Sequence, residues 1–217
     1  MRKLLVLFAL LAVSPAFAAW TLYDITADPT GWANALAAYG LVAGGGWDFD
    51  RDADYPIVGI NGPVDYQGKY PISPGTIDFT GVQFWGRDYL GNQDLVTVGP
   101  SYGYGNVDNA LLANYFVDAF VMNFQGVAAV EFNALSLLGT NAITIKVGAD
   151  QWTGKAAPPQ GHKWGLIAAG GAVGNFQVIL EDVGGGAEGI QGWGQVYIPE
   201  PASLALLGLA ALVLRRR

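Results

Sequence analysis

Four aspartates occupy every second position of the stretch WDFDRDADY: Asp48, Asp50, Asp52 and Asp54. On an extended chain, alternate side chains point to one side, and a hard cation such as calcium takes several oxygen ligands, carboxylates above all. The first three match the opening of an EF-hand loop. However, Ala53 stands where that loop needs glycine and Gly59 where it needs the bidentate glutamate, so an EF-hand is excluded. Two readings remain. One is a calcium site completed by ligands from distant loops; the other is a solvated acidic turn face.

A second group could contact sugars. FWGRDYLGNQD supplies Trp85 and Tyr89 beside Arg87, Asp88 and Asn92, and GPSYGYGNVDN supplies Tyr102, Tyr104 and Asn106. Sugars present apolar C–H faces and many hydroxyls, which suits flat rings next to amides and carboxylates. The competing reading is that these rings pack the core or cover its ends. Covalent catalysis finds little support. The chain has one histidine, His162, and no cysteine, which rules out thiolate metal sites and a cysteine nucleophile. It also lacks the G-x-S-x-G turn of serine hydrolases. A carboxylate pair for glycoside hydrolysis has no sequence signature. The expectation is a protein that is not an enzyme and requires no cofactor, with Ca²⁺ as the one candidate ion.

These residues need elements to position them. DPTGWANALAAYG, from Asp28, reads as one short helix: Thr30 is placed to cap it, Trp32, Leu36 and Tyr39 recur at helical spacing, and Gly40 is placed to end it. Beyond it, Gly, Pro and Asp punctuate short β-branched and aromatic runs. ITIKV sets Ile143, Ile145 and Val147 on one face; VEFNA sets Val130, Phe132 and Ala134 opposite Glu131 and Asn133. Phe176, Val178 and Leu180 line one face of FQVILED. Further strand candidates begin at Thr76, Asp94, Phe116, Lys163 and Gly192, DNALLANY is ambiguous between helix and strand, and GGGAEGIQGWG reads as a loop. The pattern predicts an all-β fold, a single sandwich with one packed and one wet face per strand.

Both ends of the chain read as addresses. Arg2 and Lys3, the apolar run Leu4 to Val13 and the Ala16-Phe17-Ala18 step form a secretory signal, predicted to be removed after Ala18. Five of the eleven basic residues lie in the two terminal segments. Residues 19–200 therefore carry six basic against eighteen acidic residues, a net −12, where the whole chain carries −7. So acidic a body, without a basic cluster, does not suit nucleic acid or anionic lipid.

At the other end, Pro199-Glu200-Pro201 precedes an apolar run, Leu204 to Leu214, and then Arg215, Arg216 and Arg217. Ala202 to Leu214 would span about 20 Å as a helix at ~1.5 Å per residue, short for a bilayer core of ~30 Å. Triplet, apolar helix and basic end together resemble the PEP-CTERM sorting signal of exported Gram-negative proteins. The resemblance implies an exosortase as transient partner, a short-lived inner-membrane anchor through the C-terminal hydrophobic helix, and a final place at the cell surface or in the exopolysaccharide matrix.

The body is also similar in pattern to β-sandwich domains of such proteins: a helix like GWANALAAYG, an aromatic-acidic turn like WDFD, then strands like NAITIKV and FQVILED. That likeness implies a jelly-roll or galactose-binding-like sandwich and assigns no catalytic residue. The expected organisation is a signal peptide at 1–18, a sandwich at 19–198 and a sorting signal at 199–217. The expected role is a non-catalytic exported surface or exopolysaccharide-matrix protein. The alternative is a calcium-assisted carbohydrate-binding module.

Overall fold

The structure, a computed structural model, describes residues 19–48, 76–79, 82–87, 95–98, 110–113, 119–137, 140–157, 161–184 and 187–200. They form two antiparallel sheets. The eight-stranded sheet runs β1 (Trp20–Asp24), β11 (His162–Ala168), β8 (Ala129–Leu137), β13 (Ala187–Gln191), β6 (Ala110–Ala113) and β5 (Leu95–Val98). In the same sheet β14 (Trp193–Pro199) pairs with β8 on one side and β2 (Leu41–Asp48) on the other. The six-stranded sheet runs β10 (Asp150–Lys155), β9 (Ala142–Val147), β12 (Gly174–Asp182), β7 (Ala119–Val127), β4 (Val82–Arg87) and β3 (Thr76–Phe79).

The inner faces meet in one apolar core. Phe132, Trp164 and Val196 of the larger sheet pack in the same cluster as Phe120, Met122, Phe124, Ile145 and Leu180 of the smaller one. Aromatic rings tie the layers: Trp47 meets Phe84 edge-on at 5.0 Å between centroids, and Trp20 meets Phe176 at 4.3 Å. Such pairs add to the free energy of the area they bury. At one margin, Trp20 N–H donates to Asp150 Oδ2 at 2.9 Å, joining the first strand of one sheet to the hairpin strand of the other.

β9 buries Ile143, Ile145 and Val147 and leaves their neighbours partly exposed, as its alternation predicts. β8 departs from the one-face expectation. Both faces are buried, because a second layer lies over the outside of the larger sheet. That layer is α1 (Pro29–Ala38). Its cap is Asp28 and not Thr30: Asp28 Oδ1 accepts Gly31 N–H at 2.8 Å, and Pro29 takes the first helical position. Proline lacks the N–H that would be unsatisfied there, and its fixed φ already suits a helix. Trp32 is buried and Leu36 half-buried against the sheet, whereas Tyr39 closes the helix and stays exposed.

One ambiguity resolves and one expectation changes. DNALLANY contributes β6, a strand, and the glycine-rich stretch read as a loop contains β13. β13 and β14 are two parts of one run along β8. Four residues separate Ile190 from Gln195, whereas two separate their partners Ala134 and Glu131, so a bulge sits at Gly192 in the left-handed region (φ 60°). Among the described residues no helix is long and apolar enough to cross a membrane. The predicted signal segment, 1–18, and the apolar run 204–214 lie outside the described residues.

The seat of α1 depends on a missing side chain. A Cβ on Gly165 of β11 would lie 2.6 Å from ring carbons of Trp32. Gly165→Ala is therefore expected to lower stability by about 1–3 kcal/mol, the usual cost of overpacking. Gly174→Ala, where a Cβ would meet nothing within 4 Å, should stay within about 0.5 kcal/mol of the parent. Thermal unfolding of the two variants checks the contrast.

Candidate functional site

The sequence-predicted residues fall unevenly. Asp48 ends β2 opposite Trp193, and Asp50, Asp52 and Asp54 lie outside the described residues. Trp85 belongs to β4 and pairs with Thr76 and Val121; Tyr89, Tyr102 and Tyr104 lie outside the described residues. Neither the aspartate ladder nor the aromatic set is thus assembled by the described part. Among the described residues no group of three or more His, Cys, Asp or Glu could hold a metal ion. His162 Nε2 lies 2.7 Å from Asp24 Oδ1, and its ring packs on Trp164 at 4.8 Å. The contact ties β11 to the end of β1.

Pro199 and Glu200 are described, and they sit on the sheet. Pro199 is the last residue of β14 and pairs with Leu41; Glu200 N–H donates to Gly40 O at 2.9 Å. The strand's middle is held from both sides, by β8 at Gln195 to Tyr197 and by β2 along its length. Pro201 and Arg215, Arg216 and Arg217 lie outside the described residues. A family model for the PEP-CTERM protein-sorting motif matches residues 198–217. The chain carries a PEP-CTERM sorting motif. No curated protein matches the chain. The motif implies an exported protein sorted by an exosortase, with a transient membrane anchor.

The sorting motif follows directly from a buried polar junction that the sequence did not reveal. Glu131 of β8, 6 % exposed, points to the outside of its sheet under α1. Its Oε2 accepts the indole N–H of Trp32 at 2.9 Å and the hydroxyl of Tyr197 at 2.6 Å. The Trp32 ring also meets Tyr197 edge-on at 5.6 Å and Tyr23 at 5.5 Å. One carboxylate therefore joins the helix, the central strand and the strand that leads into the motif. In the sequence, Glu131 alternates with apolar residues and so reads as a wet-face residue. The only signal pointing elsewhere is the tryptophan of α1, which needs a surface to cover and a partner for its N–H.

Burial, first, and then the bond to and charge of Glu131 push the Tyr197 hydroxyl above its ordinary pKa, while the Trp32 contact acts weakly the other way. The shift favours the neutral phenol in the folded state. Its contribution to stability is complete below the free phenol value of about 10 and is lost as pH rises from there through the higher folded value. In a spectrophotometric titration, Tyr197 should remain un-ionised at a pH where free phenols ionise. Tyr197→Phe should remove that part of the alkaline loss of stability. Glu131→Ala strands two donors and should cost roughly 2–4 kcal/mol in denaturant unfolding.

Proposed function

We propose that this chain is a non-catalytic exported protein, delivered to the cell surface or the exopolysaccharide matrix after an exosortase has acted on its C-terminal motif. The observation that carries the reading is the sorting motif at residues 198–217, which begins where the last strand of a β body ends. The acidity of residues 19–200, at six basic to eighteen acidic residues, suits a solvated protein outside the cell and leaves exopolysaccharide, not nucleic acid, as the polymer it meets. The chain crosses repeatedly between sheets, from β7 to β8, β8 to β9, β10 to β11 and β11 to β12. That alternation supports a jelly-roll reading of the sandwich. The one histidine is engaged in a contact between strands, which supports a structural body over a catalytic one.

The backbone bond at Glu200 also bears on where the tail is removed. Residues through Glu200 are tied to the sheet, so a cut that leaves these ties intact falls after Glu200. Mass spectrometry of protein from an intact host should find a mature C-terminus at or just beyond Glu200 and no Arg215 to Arg217. Secreted material that retains the three arginines would overturn the processing claim. Replacing Pro199, Glu200 and Pro201 together by alanine should leave the uncut chain in the membrane fraction.

A second reading, the calcium-assisted carbohydrate-binding module, has its own support. β14 places Trp193, 38 % exposed and covered on one side by the Lys163 ammonium at 4.3 Å, opposite Asp48, where the aspartate ladder starts. On this reading, millimolar calcium raises the melting temperature and a chelator reverses the rise. An unchanged melting temperature rejects it.

A further inference from the structure

The outer face of the six-stranded sheet carries a groove that neither reading uses. It is open, of about 260 Å³, and lined by Asn123, Gln125, Asn175 and Gln177, with Phe124 and Phe176 beneath. Register explains the grouping. Asn123 of β7 lies opposite Gln177 of β12, and the bulge between Gly174 and Phe176 brings Asn175 beside the end of β7. There Asn175 Oδ1 accepts Gly126 N–H at 3.0 Å, which fixes its carboxamide and leaves the NH₂ to donate elsewhere. Phe124 and Phe176 stack in the core below and hold the two strands together. The four amides therefore stand together on a packed floor, with Asn175 fixed in place.

The geometry points to a binding groove for a neutral, hydroxyl-rich glycan chain. Each carboxamide offers both a donor and an acceptor, the complement of a hydroxyl, and carries no charge to desolvate. Lys146 and Glu181, on this face, neutralise each other in an ion pair. A net −12 over residues 19–200 disfavours an acidic polymer. A peptide adding as an extra strand is also disfavoured. β7 is flanked by β4 and β12, and β12 by β7 and β9, so both backbones are already paired and recognition falls to side chains. The volume is below the usual ~300–1,000 Å³ of small-molecule pockets, which suits a polymer crossing the surface. The groove lies on the opposite sheet from Trp193 and Asp48 and calls for no metal. It rests on the matrix reading only for the setting in which such a glycan is met.

The test is calorimetric titration of the full chain in detergent with cellohexaose, dextran, mannan, galactan and, as the anionic control, alginate, each with and without chelator. The expected result is binding to at least one neutral glycan, unaffected by chelator. The double variant Asn123→Ala/Gln177→Ala should bind it about tenfold or more weakly, as expected for two lost hydrogen bonds, with an unchanged melting temperature. Asn123→Asp keeps the shape, removes the donor and should also weaken binding. Failure of all four neutral glycans to bind, equal binding by the parent and both variants, equal binding of alginate, or binding abolished by chelator would each overturn the groove. None of these outcomes alters the C-terminus found by mass spectrometry, so the groove and the sorting reading fail separately.

Discussion

A single carboxylate joins the three parts of this structure that meet on its covered face. Glu131 lies in the middle of the larger sheet, where an ionised group would be costly without partners. Two donors from different elements meet one of its oxygens: the indole of α1 and the phenol of β14. Each partner in turn depends on Glu131, because a buried N–H or O–H without an acceptor costs more than a hydrogen bond gains. The helix cannot slide along the sheet without breaking one bond, and β14 cannot shift register without breaking the other. Polar geometry here adds a specific seat to what apolar burial alone would leave loosely placed.

The two sheets consequently differ on their outer sides. Over the larger one, Ile25, Trp32, Leu41, Ala128, Ala129 and Ile167 form a second apolar cluster under α1. A third, smaller one gathers Ala110, Leu112, Leu135 and Leu137. Over the smaller sheet, β9 and β12 leave Lys146, Gln177 and Glu181 accessible to water. Antiparallel sheets tolerate either arrangement. Exposed positions on a well-packed sheet are available to a ligand, whereas a face sealed by a helix is spent on stability.

Strands with clean alternation were legible in the sequence, and strands built on glycine were not. ITIKV and FQVILED bury the faces their patterns indicate, since Ile143, Ile145, Val178 and Leu180 are fully buried. β2 and β13 were missed because LVAGGGWD and AEGIQ look like breakers. The reason for the glycines is tertiary. A Cβ at Gly189 would lie 2.1 Å from Leu111 O, at Gly46 2.2 Å from Gly194 O, and at Gly194 2.0 Å from the Trp47 ring. Close approach of backbone or ring demands glycine, and that demand is invisible to local propensity. Of the functional features, the sorting motif was legible because a linear order of residue types defines it. The Glu131 junction and the amide groove were not, because they arise from residues far apart in the chain.

The same contrast bears on how the tail can leave without disturbing the body. β14 contributes Val196 to the core and Tyr197 to the junction, and both precede Pro199. Its pairing with β8 covers Gln195 to Tyr197, and its pairing with β2 ends at Pro199. Proline there removes a backbone donor, which is tolerated at the end of a strand but not in its interior. Glu200, where the described residues end, makes a backbone bond to Gly40 in the turn that closes α1. Every described contact that holds the strand therefore lies on the body side of position 201. A cut beyond Glu200 severs none of them, and the closing strand keeps its register, its core residue and its bond to Glu131.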